Sequence, residues 1–231
     1  MQTVILAGGL ATRLRPITEK IPKALIEING TPFIDYQLNY LKKQGTTNVV
    51  LCTGFLAEQI VDYVGNGSRY GLKIVCSNDG DKLLGTGGAI KNAATYLDDD
   101  FFILYGDSFL PIEYTPIYNK FKQKNLPALM TILENNNQWD KSNVIFDGKQ
   151  ITLYDKKNYL AQMNYIDYGL SICNRDIFTK MIYSIFDLAE IFTSLSKKNQ
   201  LDFFEVNDRF YEIGSQQGIE DFSKLALREN L

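Results

Sequence analysis

The chain has 231 residues, of which 45% are hydrophobic and 22% are charged, and its formal net charge is −3. One large α/β core can be buried at this length, and the weak negative charge excludes a general electrostatic attraction to nucleic acid. Histidine is absent and only three cysteines occur, which excludes a histidine general base, the usual zinc sites and a disulfide scaffold.

The N-terminus leads directly into an apolar, β-branched stretch. It has no cationic segment followed by the apolar stretch of a secretory signal, and no apolar run is long enough to span a bilayer. Cys52 and Cys76 lie in apolar, strand-like runs, where we expect buried and inert thiols. We therefore expect a cytoplasmic protein without a membrane partner.

Strands and helices alternate over the first 105 residues. The strands are predicted from short apolar runs, and the helices from apolar residues at helical spacing. In chain order the segments are strand TVILAG, helix PFIDYQLNYLKKQG, strand NVVLCTG, helix LAEQIVDYVGNG, strand LKIVCSND, helix TGGAIKNAATYL and strand FFILYGD. This order predicts a parallel sheet with helices on both faces.

The pattern is less regular after residue 110. We predict strands in LPALMTILE, in NVIFDGKQITLYDKK with an Asp-Gly turn at 147–148, and in MNYIDYGLSICN, LDFFEV and RFYEIG, and helices in DLAEIFTSLSKKN and SQQGIEDFSKLAL. No repeat, low-complexity tract or linker interrupts the chain. We therefore predict a single domain over 1–231, with halves over 1–110 and 111–231.

A glycine pair and several cations follow the first strand. Gly8 and Gly9 end that strand at the sheet edge where ligands of open α/β folds bind, and glycine lets a phosphate approach the main chain closely. Arg13 and Lys23 follow, and both side chains bind phosphate oxygens. The segment indicates a phosphate-binding surface, although it is neither the dinucleotide fingerprint nor a P-loop.

Residues 8–23, GGLATRLRPITEKIPK, resemble the signature of sugar-1-phosphate nucleotidyltransferases. That signature reads Gly-Gly-x-Gly-Thr-Arg-Leu, followed by Pro-x-Thr and then Pro-Lys. Ala11 stands where the family usually has its third glycine, so a left-handed conformation at this position would cost energy. The resemblance implies that Arg13 and Lys23 are catalytic cations, which contact the departing pyrophosphate and the α-phosphate.

Two further segments of the first half resemble the family. LLGTGGAI at 83–90 resembles the glycine segment that lies against the nucleotide base, and LYGDSF at 104–109 resembles the strand-ending Gly-Asp. The resemblance implies that Asp107 holds Mg²⁺, a cation that prefers carboxylate and phosphate oxygens. It implies a nucleotide site formed by Leu6, Ala7, Gly8, Gly9, Thr12, Gly85, Thr86 and Gly88.

The matches in the second half are shorter. Lys156 resembles the lysine that meets the sugar phosphate, and Asn143, Asp167, Tyr168 and Gly169 fall where the family lines its sugar pocket. FYEIGS at 210–215 resembles a segment whose aspartate is the second metal ligand. Here that residue is Glu212, which offers the same oxygens on a longer side chain.

The resemblance implies a Rossmann-like, mostly parallel mixed sheet flanked by helices, as in glycosyltransferase-A-like folds. The half over 1–110 would bind the nucleotide and the half over 111–231 the sugar. The implied reaction joins an NTP and a sugar 1-phosphate into an NDP-sugar, with Mg²⁺ as cofactor and release of pyrophosphate. The implied partners are these two substrates and, in a homodimer, a second copy of the chain.

The base and the sugar are less narrowly indicated. LGTGGAI is most similar to the short family members that use GTP to make GDP-heptose from D-glycero-D-manno-heptose 1-phosphate, a precursor of capsule or lipopolysaccharide. Uridylyl- and cytidylyltransferases with other sugar 1-phosphates are alternatives. A non-catalytic regulatory protein that binds nucleotide sugars is a further alternative, although such a protein should lack Asp107 or Lys23, and this chain has both.

Overall fold

The computed structural model describes residues 1–231. The strands are β1 (Gln2–Leu6), β2 (Glu27–Ile28), β3 (Thr31–Pro32), β4 (Asn48–Thr53), β5 (Lys73–Asn78), β6 (Asp100–Tyr105), β7 (Ser108–Phe109), β8 (Ala128–Glu134), β9 (Val144–Phe146), β10 (Ile151–Tyr154), β11 (Tyr165–Asn174), β12 (Leu201–Val206) and β13 (Tyr211–Glu212). The helices are α1 (Phe33–Lys43), α2 (Ala57–Val64), α3 (Gly85–Asn92), α4 (Thr115–Gln123), α5 (Asp176–Thr179), α6 (Leu188–Lys197) and α7 (Gln216–Glu229).

One nine-stranded mixed sheet forms the centre of the molecule. Strands β6, β1, β4 and β5 are adjacent in that order and parallel. Strand β11 runs antiparallel to both β6 and β8, and β12 is parallel to β8. The antiparallel pair β9–β10 extends the sheet beside the start of β11. Strands from both halves of the chain therefore share one sheet, and the predicted mostly parallel mixed sheet is confirmed.

Helices cover both faces of this sheet because successive strand residues point to opposite sides. Ile5 belongs to a buried cluster that includes apolar residues of α1, α2 and α4. Its neighbour Val4 belongs to a second cluster, which includes apolar residues of α3, α5 and α6. Helix α7 packs against α1, where Phe222 contacts the ring of Phe33 edge-on with 5.0 Å between ring centroids.

The structure contains every strand and helix that we predicted, with two shortened. The helix predicted over 86–97 ends at Asn92 and continues as a 3₁₀ turn, Ala94–Tyr96, and the last strand has only two residues. The prediction missed α4, α5, β7 and the short β2–β3 pair. Helix α4 buries only Ile117 and Phe121, and this narrow stripe is a weak periodic signal.

The structure also bears on the predictions for the Asp-Gly turn, for two cysteines and for membrane-spanning segments. The Asp-Gly turn joins β9 and β10, with Gly148 at a φ of +87°. Cys52 is buried and Cys76 half-buried, and burial raises the pKa of the Cys52 thiol to about 12, so this thiol is inert. No helix combines the length and the apolar composition needed to cross a bilayer.

Candidate active site

A cleft of about 280 Å³ opens where the parallel strands β1, β4, β5 and β6 end. The carboxyl edge of a parallel sheet collects the loops that follow its strands, and ligands of open α/β folds bind there. The predicted residues that line the cleft are Leu6, Ala7, Gly8, Gly9, Lys23, Gly85, Thr86 and Asp107.

Four glycines, Gly8, Gly9, Gly85 and Gly106, line this cleft and expose their main chain to it. A Cβ built on Gly9 would meet no atom within 4 Å, so the space beside its backbone is open. Gly85 has a φ of +73°, and a Cβ there would lie 2.6 Å from the Phe186 carbonyl oxygen. The start of α3 can therefore pack against residue 186 only with glycine at position 85.

The loop after β1 contains one strained residue. Ala11 has a φ of 48° and a ψ of 43°, the left-handed region, which is unfavourable for a residue with a Cβ. The Thr18 hydroxyl donates to the Ala11 carbonyl at 2.8 Å and holds the loop in this shape. Ala11 therefore adopts the left-handed conformation whose energetic cost we expected from the sequence.

Two carboxylates and two cations meet beside the cleft. Glu212 is paired in register with Ser108, next to Asp107, because β13 runs antiparallel to β7. The Lys23 Nζ lies 2.8 Å from Asp107 Oδ2, and the Arg13 Nη2 lies 3.9 Å from Glu212 Oε2. Burial and the charge of Asp107 raise the pKa of Glu212, while Arg13 opposes this shift. Four predicted residues from three segments thus form one charged group.

This pair of carboxylates fits a magnesium ion. The structure has no cluster of three or more His, Cys, Asp or Glu side chains that could bind a metal by themselves. Mg²⁺ is usually held by one or two carboxylates and takes its other ligands from substrate phosphates and water. Asp107 and Glu212 supply such a partial set next to the cleft.

A larger polar groove, of about 710 Å³, adjoins the cleft and shares Thr86, Tyr105 and Asp187 with it. Lys156 lies in this groove, where its Nζ donates to the Tyr105 hydroxyl at 3.4 Å and is 3.9 Å from Asp167 Oδ2. Burial lowers the pKa of Lys156, but Tyr105 and Asp167 outweigh this effect and raise it above the usual value. Lys156 is therefore a permanent cation.

The position of Asp167 depends on an irregularity in β11. The pairing of β11 with β8 changes register between Asp167 and Ser171, and Gly169 has a φ of +100° within this bulge. The Asp167 amide donates to Asn143 Oδ1 at 2.9 Å, and the Gly169 amide donates to Asp167 Oδ1 at 3.0 Å. Burial raises the pKa of Asp167, although Lys156 opposes this shift.

Asn143 lines a third groove, of about 320 Å³, on the other side of Lys156. The structure therefore brings Asn143, Lys156, Asp167 and Gly169 together, as the resemblance implied. Asn143 and Gly169 are hydrogen-bonded to Asp167, which lies 3.9 Å from the ammonium group of Lys156. This ammonium group would attract an anion.

Three predicted residues lie elsewhere. Tyr168 is buried in the core, where its hydroxyl donates to the Arg209 carbonyl at 3.4 Å; it points away from the groove because neighbouring strand residues face opposite sides. The Gly88 amide donates to the Phe186 carbonyl at 3.1 Å, so it is not available to a nucleotide. Thr12 is exposed and does not line the cleft.

The sequence reading missed Tyr105, Asp79 and Asp187, all of which line the cleft. Tyr105 separates the cleft from the larger groove, and burial raises its pKa to about 12. Its place immediately before Gly106-Asp107 was the available signal. Asp79 directly follows β5 and accepts a hydrogen bond from the Leu84 amide at 3.0 Å, a position that parallel-strand reasoning could have identified.

The chain is similar to known proteins over most of its length. A family model described as nucleotidyl transferase matches residues 2–205. The chain is 30% identical over 216 residues to D-glycero-alpha-D-manno-heptose 1-phosphate guanylyltransferase of Campylobacter jejuni, covering 93% of this chain and 95% of that protein. It is 34% identical over 183 residues to the protein of the same name from Aneurinibacillus thermoaerophilus, covering 77% and 76%.

A solved structure is also similar over nearly the full length. The crystal structure of HddC from Yersinia pseudotuberculosis superimposes with a TM-score of 0.83 at 25% sequence identity, covering 97% of this chain and 98% of that one. Because 97% of the chain is covered, the match extends beyond the glycine segments to the second half of the chain, which contains Lys156 and Asp167.

Proposed function

Because the chain belongs to the nucleotidyl transferase family, we propose that it joins GTP and D-glycero-α-D-manno-heptose 1-phosphate into GDP-heptose and pyrophosphate. Nucleotidyl transfer to a sugar 1-phosphate is its reaction class. The observation that supports guanylyl transfer to a heptose is the name shared by two relatives at 30% and 34% identity.

The reaction class suits a site without histidine. A sugar phosphate oxygen is already ionised at neutral pH, so no general base is needed to activate it. The protein must instead align two anions and reduce their repulsion. The cleft, which contains Lys23, and the adjoining groove, which contains Lys156, would provide these two functions.

Each cation has a distinct role in the proposal. Lys23 lines the cleft and would contact the α-phosphate, while the more exposed Arg13 would receive the departing pyrophosphate. Lys156 faces the groove and would hold the sugar phosphate, since its raised pKa keeps it charged. The open backbone at Gly9 would admit the triphosphate.

Asp107 and Glu212 would hold Mg²⁺ in this scheme. The ion would supply positive charge between the two phosphate groups as they approach. Lys23 contacts Asp107, and Arg13 lies near Glu212. Both cations would therefore neutralise negative charge on the phosphates beside the ion.

We further propose where the reaction takes place and what its product supplies. The protein would act in the cytoplasm, where GTP is available, and its product would supply capsule or lipopolysaccharide assembly. We also propose that the protein forms the homodimer that the resemblance implies. Light scattering would measure this oligomeric state.

A substrate panel tests the function. Purified protein is given Mg²⁺, the heptose 1-phosphate and one of ATP, GTP, UTP, CTP or dTTP, and pyrophosphate release is followed. We expect GTP to be turned over fastest, and Asp107→Asn to remove the metal-dependent turnover while leaving the Tm unchanged. Faster turnover of UTP or CTP would replace the guanylyl assignment. Binding of a nucleotide in a thermal-shift panel without turnover of any would favour a regulatory protein.

A further inference from the structure

Asp107 lies in a two-residue turn, Gly106 and Asp107, between β6 and β7. Main-chain hydrogen bonds hold this turn on two sides. The Gly106 amide donates to the Leu6 carbonyl at 3.0 Å, and the Ile213 amide donates to the Asp107 carbonyl at 2.9 Å. The carbonyls that flank the turn are bound by a side chain of α1 that the proposed reaction does not use.

That side chain is Gln37. Its Nε2 donates to the Tyr105 carbonyl at 3.0 Å and to the Ser108 carbonyl at 2.7 Å. Gln37 is only 2% exposed. Of the two polar groups of a carboxamide only the NH₂ group can donate to carbonyl oxygens, so these partners determine the orientation of the Gln37 amide.

The opposite atom of the same carboxamide has no partner. Gln37 Oε1 is buried and makes no hydrogen bond, which is unfavourable for a buried carbonyl oxygen. The side chain therefore bridges the turn while leaving one of its own polar atoms unpaired. A side chain without donors would leave two main-chain carbonyls unpaired beside Asp107, and the turn would have to move toward other partners.

We propose that Gln37 is a positioning residue for Asp107, which holds the carboxylate in the place where it binds the divalent cation. This inference rests on the proposed function, in which Asp107 is a metal ligand. Helix α1 follows the segment that carries Lys23, and Lys23 Nζ contacts Asp107 Oδ2 at 2.8 Å. Gln37 thus binds the main chain on either side of Gly106 and Asp107, while the Asp107 carboxylate itself contacts the cation of Lys23.

Because Gln37 would orient a metal ligand, we expect its substitution to weaken metal binding. Removing such hydrogen-bonding partners typically weakens metal affinity or activity by about 10- to 100-fold. A purely structural role predicts something different, namely a lower Tm with an unchanged metal affinity in the protein that remains folded.

The test measures metal binding directly. Mn²⁺ is titrated into the full chain saturated with α,β-methylene-GTP, which cannot react, and free Mn²⁺ is followed by electron paramagnetic resonance. The main variant is Gln37→Met, which has similar length and no donor. Gln37→Glu, which keeps the shape but loses the NH₂ group, serves if the first variant does not fold.

Two substitutions in the same helix are controls. Asn39→Met removes an exposed carboxamide, and Leu41→Ala removes buried apolar volume one helical turn after Gln37 without removing a hydrogen-bond donor. We expect Gln37→Met to bind Mn²⁺ about 10- to 100-fold more weakly and to lose kcat, with an unchanged KM for the sugar phosphate. Asn39→Met should match the wild type, and Leu41→Ala should lower only the Tm.

The outcomes separate the two proposals. Wild-type Mn²⁺ affinity in Gln37→Met, or equal losses in Gln37→Met and Leu41→Ala, would overturn the positioning role while leaving the enzyme assignment intact. A wild-type chain that neither binds Mn²⁺ with the nucleotide analogue nor releases pyrophosphate would overturn the proposed function itself.

Discussion

The cleft at the sheet edge and the groove beside it are built in different ways. Glycine segments that follow neighbouring parallel strands line the cleft, so part of its wall is main chain. Side chains from α6 and from the loop after β10 form most of the groove, among them Lys156, Lys157, Glu190 and Lys197. The cleft depends on how closely a ligand can approach the main chain. The groove depends on which side chains the fold brings together.

This difference predicts different responses to substitution. In the cleft, an added methyl group can block a ligand or disturb the fold, depending on the space around the glycine. In the groove, loss of one charged group should affect one substrate and leave the other unchanged.

Lys23 lies in the cleft but contacts the carboxylate pair, so its loss should affect the chemical step most. We expect Lys23→Ala to lower kcat/KM by about 10²–10³-fold, the typical loss for one preorganised electrostatic contact. Steady-state pyrophosphate release measures this. Lys20→Ala, an exposed lysine of the same segment, should behave as the wild type. Unchanged turnover of Lys23→Ala would refute the assignment.

Lys156 should act on the sugar phosphate alone. A hydrogen bond to a charged group contributes about 1.5–3 kcal/mol, so Lys156→Met should raise the KM for the sugar 1-phosphate by roughly 10- to 100-fold. GTP affinity should not change. The exposed Lys149, in the turn between β9 and β10 and outside the groove, gives the matched control Lys149→Met. Weaker GTP binding in Lys156→Met would mean that the two regions are not separable.

Two glycines of the cleft should respond in opposite ways. Gly9→Ala adds a methyl group to open space and should keep the Tm, while raising the KM for GTP by about tenfold, as one misplaced methyl group can. Gly85→Ala should lower the Tm, because a Cβ there would lie 2.6 Å from the Phe186 carbonyl. Thermal denaturation and nucleotide titration measure both. A lower Tm in Gly9→Ala would show that this backbone serves the fold.

Ala11 offers the smallest effect. Because its left-handed conformation is unfavourable for a residue with a Cβ, Ala11→Gly should stabilise the protein by about 1 kcal/mol. Gly30 provides the reverse test, since it has a φ of +78° and no atom within 4 Å of a built Cβ. Gly30→Ala should therefore destabilise the protein by a similar amount in urea denaturation. An Ala11→Gly variant of lower stability would contradict this account.

The sequence predicted the cleft better than the groove. Eight of the predicted residues line the cleft, because a glycine segment after a buried strand must reach the same sheet edge as its parallel neighbours. The groove required more information. Asp167 and Tyr168 are adjacent in the sequence, and only the bulge at Gly169 and the alternation of β11 determine which of them faces Lys156.

The residues by themselves determined the parallel β-α order, the strand-ending glycines and the run of cations after the first strand. These features depend on local sterics and on periodicity, which a single segment contains. The sequence indicated the meeting of Glu212 with Asp107 only through the family resemblance, and the pairing of β13 with β7 produces it. Tertiary structure alone decided that Gln37 of α1 binds the two ends of the Asp107 turn. Such contacts join distant segments, and their geometry is set by strand register and by helix packing, neither of which is encoded in any one stretch of chain.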